Sequence, residues 1–136
     1  MTSEPTDPIS VAKELVPLLR EEAPRAEETR TLTPRTLEAV VDSGLLPLVT
    51  PRRFGGRGAG LAALAQVTRE LGHGCPAAAW TISFFMLHNW LVGKFPDELG
   101  ARVFEDRPYA FVPAPLAPTG TIESADGDFV LSGRWE

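Results

Sequence analysis

The sequence is poor in the residues that build disulfides and metal centres. Its 136 residues include one cysteine, Cys75, and two histidines. A single cysteine excludes an intrachain disulfide and supplies no cluster of thiolates for a metal ion. Two histidines without a nearby carboxylate pattern argue against a zinc site. We therefore expect no metal site in this chain.

The N-terminus and the charge argue against three further classes. Residues 1–8 are acidic and lack an apolar core, so they do not resemble a secretory signal peptide. The longest apolar run, 76–93, is close to the roughly 20 residues that span a bilayer. Because it contains polar residues such as His88 and Asn89, it favours a central helix of a soluble bundle. The net charge of −5 argues against broad nucleic-acid binding. We expect a cytoplasmic protein that binds neither membranes nor nucleic acids.

Helix signals cover the first 107 residues. Asp7-Pro8 and Thr33-Pro34 each place a capping residue before a proline at the first helical position. Apolar residues then recur at helical spacing. Because proline lacks a backbone donor, we expect Pro24 to end the first helix. The sequence thus predicts a helical domain over 1–107.

After residue 107 the chain changes to proline, β-branched and aromatic residues. Residues 109–112 read as a strand, and Asp126-Gly127 is a strong signal for a hairpin turn. A lone hairpin is marginally stable at best, so this one needs strands from another chain or from a longer protein. We therefore predict a mainly α chain that ends in the start of a β domain over 108–136.

The glycine-rich loop at 54–60 has two readings. Residues 58–63 match the permissive G-x-G-x-x-A form of a dinucleotide fingerprint. No buried strand precedes the loop, no βαβ unit follows it, and the lysine of a P-loop is missing. A tight turn into the next helix is the simpler role. Arg52, Arg53 and Arg57 could hold a phosphate or lie solvated in the loop.

Three aromatic side chains share one face of the apolar helix. Trp80, Phe84 and His88 are spaced i, i+4, i+8, which aligns them over about 12 Å at 1.5 Å rise per residue. An unpartnered buried imidazole costs roughly 1–3 kcal/mol. The stripe therefore either faces a shared cavity or lies in the core with His88 bonded to a backbone carbonyl. The spacing alone leaves both readings open.

Three motifs together resemble the acyl-CoA dehydrogenase superfamily: PRRFGG at 51–56, RELG at 69–72 and CPAAAW at 75–80. The spacing from Trp80 to His88, followed by Asn89-Trp90, looks like the branch of two-component flavin-dependent monooxygenases. The family fold has an N-terminal helical domain, a middle β-barrel domain and a C-terminal four-helix bundle that drives tetramerisation. This chain resembles the first domain and the opening strands of the second.

The resemblance implies an activity and its cofactor. Members of the branch receive reduced FMN or FAD from a separate NAD(P)H:flavin reductase. They react it with O2 to a flavin C4a-hydroperoxide, which hydroxylates an aromatic or polyketide-like small molecule. We therefore expect the N-terminal part of such an oxygenase component, homotetrameric when full length. Alone, the fragment is expected to be inactive.

The resemblance also implies roles for five residues. Positions matching Trp80, Ala114 and Trp135 are implied to contact the flavin, and Phe84 and His88 the substrate. His88 is implied to be catalytic, because a histidine with an ordinary pKa of about 6.5 can act as a base toward a phenol hydroxyl at neutral pH. Phenol hydroxylases often carry serine where this sequence has Ala114, which weakens the case for a phenol.

Two alternatives compete with a monooxygenase. One is an acyl-CoA dehydrogenase or oxidase of the same fold, whose catalytic glutamate would lie beyond residue 136. The other is a non-catalytic helical interaction module. The module predicts no flavin binding and a sealed face between Trp80 and His88.

Overall fold

Five α-helices and one β-hairpin form the described part of the computed structural model, which covers residues 7–114, 117 and 119–135. In chain order these are α1 (Pro8–Thr29), α2 (Pro34–Asp42), a 3-10 turn (Arg52–Phe54), α3 (Leu61–Gly72), α4 (Pro76–Val92), α5 (Asp97–Val103), β1 (Thr121–Ala125) and β2 (Asp128–Ser132). The expected mainly α fold with opening strands is confirmed. The domain boundary at 107/108 stays a prediction.

Both expected helix caps are present. The Asp7 carboxylate accepts hydrogen bonds from the backbone N–H groups of Ile9 and Ser10 at the start of α1. The Thr33 hydroxyl accepts from Thr36 N at 3.2 Å at the start of α2. Each cap satisfies a donor that has no partner inside the helix. Local sequence therefore decides where these helices begin.

The expected end of α1 at Pro24 is wrong, because the helix continues through Pro17 and Pro24 to Thr29. The two prolines lie about two turns apart, so they share one face, and that face is exposed. The carbonyls that lose a partner there remain accessible to water. Buried residues on the opposite face, including Leu15 and Leu19, hold the helix against the core.

The core lies between α1, α3, α4 and the segment that follows α2. It combines one face of each helix with four residues of that segment: Leu45, Leu46, Leu48 and Val49. On α4, Ile82 and Met86 are fully buried. Because α4 contributes to the centre of the domain, its opposite face is fixed at the surface, where the aromatic stripe lies.

The segment 109–112, predicted as a strand, is not one. Its backbone bonds to side chains of α4 in place of a neighbouring strand: Ala110 N–H donates to Asn89, and Val112 C=O meets the His88 ring. Strand propensity needs a partner ladder, and a helix occupies the position here. The segment therefore runs alongside α4.

The predicted hairpin is present. β1 and β2 pair antiparallel from Thr121↔Ser132 to Ala125↔Asp128. Asp126 and Gly127 have φ of 49° and 91°, the positive values that a two-residue type I′ turn requires. Apolar residues such as Phe129 and Leu131 are exposed.

Candidate functional site

The aromatic stripe forms a continuous line of ring contacts along α4. The Trp80 and Phe84 ring centroids are 4.9 Å apart, and Phe84 meets His88 edge-on at 5.3 Å. The exposed fraction falls from 66% at Trp80 to 9% at His88. The helical period thus brings the three predicted residues together, with one end open and the other covered.

The His88 ring is oriented by a backbone carbonyl. Its Nδ1 lies 2.5 Å from Val112 O. A carbonyl oxygen only accepts hydrogen bonds, so we assign the ring proton to Nδ1. In the neutral ring, Nε2 is then the unprotonated nitrogen that can accept a proton. The arrangement fixes one tautomer of His88.

Asn89 holds the segment that carries this carbonyl. The side chain is completely buried. Its Oδ1 accepts from Ala110 N at 2.8 Å, and its Nδ2 donates to Phe85 O at 2.9 Å. Both amide groups are therefore used. The interpretation of the sequence missed this role, although a buried asparagine beside His88 in an apolar helix signals a required partner.

A cleft of about 220 Å³ lies beside the stripe. Its lining includes Phe84 and His88 from α4 together with Phe111 and Pro113 from the segment alongside. Phe111 is fixed by an edge-on contact with Phe85 at 4.9 Å. The walls are almost wholly apolar, and the His88 imidazole is the ionisable group among them. His88 therefore combines features of both hypotheses from the sequence: it bonds a backbone carbonyl, as a core histidine would, and it also lines a cleft.

Of the five predicted residues, Phe84 and His88 line this cleft, and Trp80, Ala114 and Trp135 do not. Ala114 is half-buried and follows Pro113, one of the lining residues, but does not line the cleft itself. Trp135 is 45% exposed and packs at the base of the hairpin, where its ring would lie 2.6 Å from a Cβ added at Gly120. The structure thus unites Trp80, Phe84 and His88, and does not bring Trp135 to them.

The described residues fit one wall of a flavin site. An isoalloxazine ring needs a flat, apolar surface, and Trp80 presents an exposed indole continuous with Phe84. Large exposed aromatic rings commonly mark a binding surface. The wall continues into the cleft at His88, so a cofactor on Trp80 and a small molecule in the cleft would be neighbours.

Clear pKa shifts occur away from the cleft. A hydrogen bond with Thr33, supported by Arg35, lowers the pKa of Glu22 and thereby links α1 to α2. A hydrogen bond with Arg69 lowers the pKa of Glu70 on α3. These shifts reflect contacts at the surface of the helical domain.

The loop arginines have structural partners. Arg53 pairs with Asp97 at 2.9 Å and donates to Gly93 O at 2.9 Å, so it ties the loop to α5 and the end of α4. Arg52 donates to Arg57 O at 3.2 Å within the loop. These bonds support the tight-turn reading of residues 54–60. In the described ranges, no group of three His, Cys, Asp or Glu could hold a metal ion, and no helix is long and apolar enough to cross a membrane.

Comparison with known proteins places this helical domain in a family. The family model described as acyl-CoA dehydrogenase, N-terminal domain, matches residues 10–101. The chain is 33% identical over 120 residues to a pigment production hydroxylase of Rhodococcus sp. (strain ATCC 21145), covering 88% of this chain and 31% of that protein. It is 35% identical over 118 residues to the oxygenase component of an FADH(2)-dependent resorcinol hydroxylase of Rhizobium sp. (strain MTP-10005), covering 87% and 29%.

A solved structure agrees with the sequence relatives. The crystal structure of the HsaA monooxygenase from M. tuberculosis superposes with a TM-score of 0.87 at 27% identity, covering 93% of this chain and 33% of that one. The chain thus spans about a third of the length of the proteins it matches.

Proposed function

The chain belongs to the acyl-CoA dehydrogenase family, and from that premise we propose that it is the N-terminal part of a reduced-flavin-dependent monooxygenase. It would be the oxygenase component of a two-component system that hydroxylates an aromatic small molecule. The relatives named as hydroxylases and monooxygenases support this assignment. The observation that carries it is the exposed Trp80, whose ring contacts lead through Phe84 to His88, and His88 lines the cleft.

We propose reduced FMN or FAD as the cofactor, delivered by a separate NAD(P)H:flavin reductase. When bound, the flavin supplies the activation of O2. Trp80 would hold its ring by stacking, and Ala114 and Trp135 would contact it in the full-length protein. That protein would be a homotetramer, as the resemblance implies, and it would be cytoplasmic, as the sequence predicts.

His88 would be the catalytic base. With Nδ1–H donated to Val112 O, Nε2 is free to accept the proton of a substrate hydroxyl. Losing that proton makes the aromatic ring more electron-rich and so more easily attacked by an electrophilic oxygen. The carbonyl of Val112 would stabilise the resulting imidazolium, because the hydrogen bond from Nδ1–H becomes stronger when the ring that donates it is charged.

The cleft walls would exclude water and orient the substrate ring. Phe84 and Phe111 line it from two sides, and an edge or a face of each is available to an aromatic substrate. Exclusion of water favours transfer of oxygen to the substrate over its loss as hydrogen peroxide. Because Ala114 offers no hydroxyl, His88 would carry the polar recognition on this side.

His88→Ala in the full-length enzyme tests the proposal. With reduced flavin and O2, we expect hydroxylated product to fall by about 100-fold, within the usual contribution of a general base. Reduced flavin should still be consumed at the wild-type rate, with hydrogen peroxide released in place of product. His73→Ala is the matched control, because His73 is exposed at the end of α3. Equal loss of both reactions, or no loss, would count against a substrate role for His88.

Neither alternative gains support from the geometry. An interaction module predicts a sealed face, yet the Trp80 side of the stripe is open. An acyl-CoA dehydrogenase or oxidase predicts reduction of bound flavin by an acyl-CoA thioester without O2. Anaerobic titration of the full-length enzyme with such a thioester should leave the flavin spectrum unchanged if our proposal is correct.

A further inference from the structure

A second, larger groove adjoins the cleft at His88. It has a volume of about 410 Å³ and lies between α4 and the C-terminal part of α1. Thr81 and Phe85 line both the groove and the cleft. The two spaces therefore adjoin at these two side chains of α4.

The groove follows one edge of α4 toward its N-terminus. Ala77, Thr81 and Phe85 are spaced i, i+4, i+8, so they lie along one line of the helix. From His88 back to Ala77 this edge is about 16 Å long at 1.5 Å rise per residue. That length exceeds a single aromatic ring, so a substrate ring at His88 would leave most of the groove for a substituent.

Small side chains create the space. Four alanines line the groove, two from each helix: Ala23, Ala26, Ala77 and Ala78. Leu32, Leu37 and Phe85 supply larger apolar surfaces. These residues give the body of the groove an apolar surface that suits an apolar chain.

The lining also includes a polar pair from the last turn of α1. Glu27 and Arg30 belong to the groove, and together they present an acceptor and a donor with no net charge. Arg30 caps the C-terminus of α1, directly after Thr29, with φ of 55°, a left-handed conformation that favours glycine.

We propose that this groove binds the substituent of the aromatic substrate. The substituent would be an elongated apolar chain that ends in a neutral polar group with both a donor and an acceptor, such as a carboxamide, near Glu27 and Arg30. This inference rests on the proposed function, since it places the aromatic ring beside His88. It makes the alanines of the groove the residues that determine substrate length.

Calorimetric titration of the full-length enzyme with three phenols tests the groove. The probes are 4-ethylphenol, 4-hexylphenol and 6-(4-hydroxyphenyl)hexanamide. We expect both six-carbon compounds to bind at least tenfold more tightly than 4-ethylphenol, and the amide to bind more tightly than 4-hexylphenol. Absence of a tenfold gain from chain length would overturn the proposal.

Substitutions in the groove test whether the tighter binding of the long-chain compounds arises there. Ala77→Leu should remove the preference for long chains and leave 4-ethylphenol binding unchanged, because it fills the groove and not the cleft. Ala26→Leu fills the same groove from α1 and is an independent second variant. Ala62→Leu is the matched control, an exposed alanine on α3 outside the groove. A preference that survives both groove variants would overturn the assignment.

The polar end has its own test. Arg30→Gly should remove the advantage of the amide over 4-hexylphenol, and it should fold well because glycine suits the backbone there. Arg25→Ala is the control on the same helix. An amide advantage unchanged in Arg30→Gly would exclude the polar pair.

Hydroxylation of the same phenols separates the two proposals. A length preference without product contradicts the proposed function alone, whereas product without a length preference contradicts the groove alone.

Discussion

Replacement of Asn89 should loosen the cleft by releasing the segment 109–112 from α4. Asn89 is completely buried and bonds to both Ala110 N and Phe85 O. In Asn89→Ala, the Ala110 N–H loses its acceptor, and water reaches it only in part because Ala110 is half-buried. The carbonyl of Val112, two residues further along, then loses its fixed position against His88.

The expected loss of stability in Asn89→Ala follows from the two lost hydrogen bonds. An unsatisfied buried donor costs about 1–3 kcal/mol, and the bond to Phe85 O adds about 0.5–1.5 kcal/mol. Phe85 O also accepts a backbone hydrogen bond within the helix, so the cost of losing the bond from Asn89 lies at the low end of this second range. We expect the free energy of unfolding to fall by about 1.5–3.5 kcal/mol. Leu91 lies on the same helix and is 42% exposed. Leu91→Ala should therefore lower the free energy of unfolding by less than about 1 kcal/mol.

Urea unfolding of wild type, Asn89→Ala and Leu91→Ala measures these differences. Nitrogen-15 NMR of the His88 ring provides a second readout. Wild type should show the Nδ1–H tautomer at pH 8, and Asn89→Ala should show a mixture of both tautomers. A stability loss below 1 kcal/mol together with an unchanged tautomer would refute the role of Asn89 as the anchor of this segment.

Three further predictions concern other contacts. Gly56→Ala should destabilise the chain by about 1–3 kcal/mol, because the added Cβ would lie 2.2 Å from Thr50 O; thermal unfolding should show no comparable loss for Gly60→Ala, where the Cβ meets nothing within 4 Å. The hydrogen bond with Thr33 lowers the pKa of Glu22, so its stabilising effect is present at neutral pH and is lost as the pH falls below roughly 4. Glu22→Gln should therefore lower the melting temperature at pH 7 more than at pH 3, and an equal drop at both would contradict the assignment. Trp80→Ala should leave unfolding by urea nearly unchanged, because the side chain is largely exposed, yet weaken binding of reduced flavin to the full-length enzyme by at least tenfold in an anaerobic titration; unchanged binding would remove Trp80 from the flavin site.

Local chemistry was predictable where neighbouring residues decide the outcome. The caps at Asp7 and Thr33 and the turn at Asp126-Gly127 depend on groups within three residues of each other, so the sequence alone identifies them. The end of α1 was not predictable in this way. Whether Pro24 ends the helix depends on which face it occupies and on the burial of the opposite face, and both depend on packing.

The candidate site was also predictable only where it depends on local spacing. Helical spacing predicted that Trp80, Phe84 and His88 share a face, and the ring contacts agree with it. The roles given to these residues and to Ala114 and Trp135 stay predictions. Asn89 and the groove at Ala77 were not predicted, because each depends on a segment distant in sequence that folds against α4.

The sequence by itself determined the positions of these side chains along α4, because the period of a helix is a local property of the backbone. Only the tertiary structure decided what surrounds them. The segment 109–112 covers His88 and fixes its tautomer through Val112, while in the part of the chain that the structure describes Trp80 stays 66% exposed. The physical reason is that burial and hydrogen bonding of a side chain depend on which distant residues pack beside it, and spacing along one helix carries no information about them.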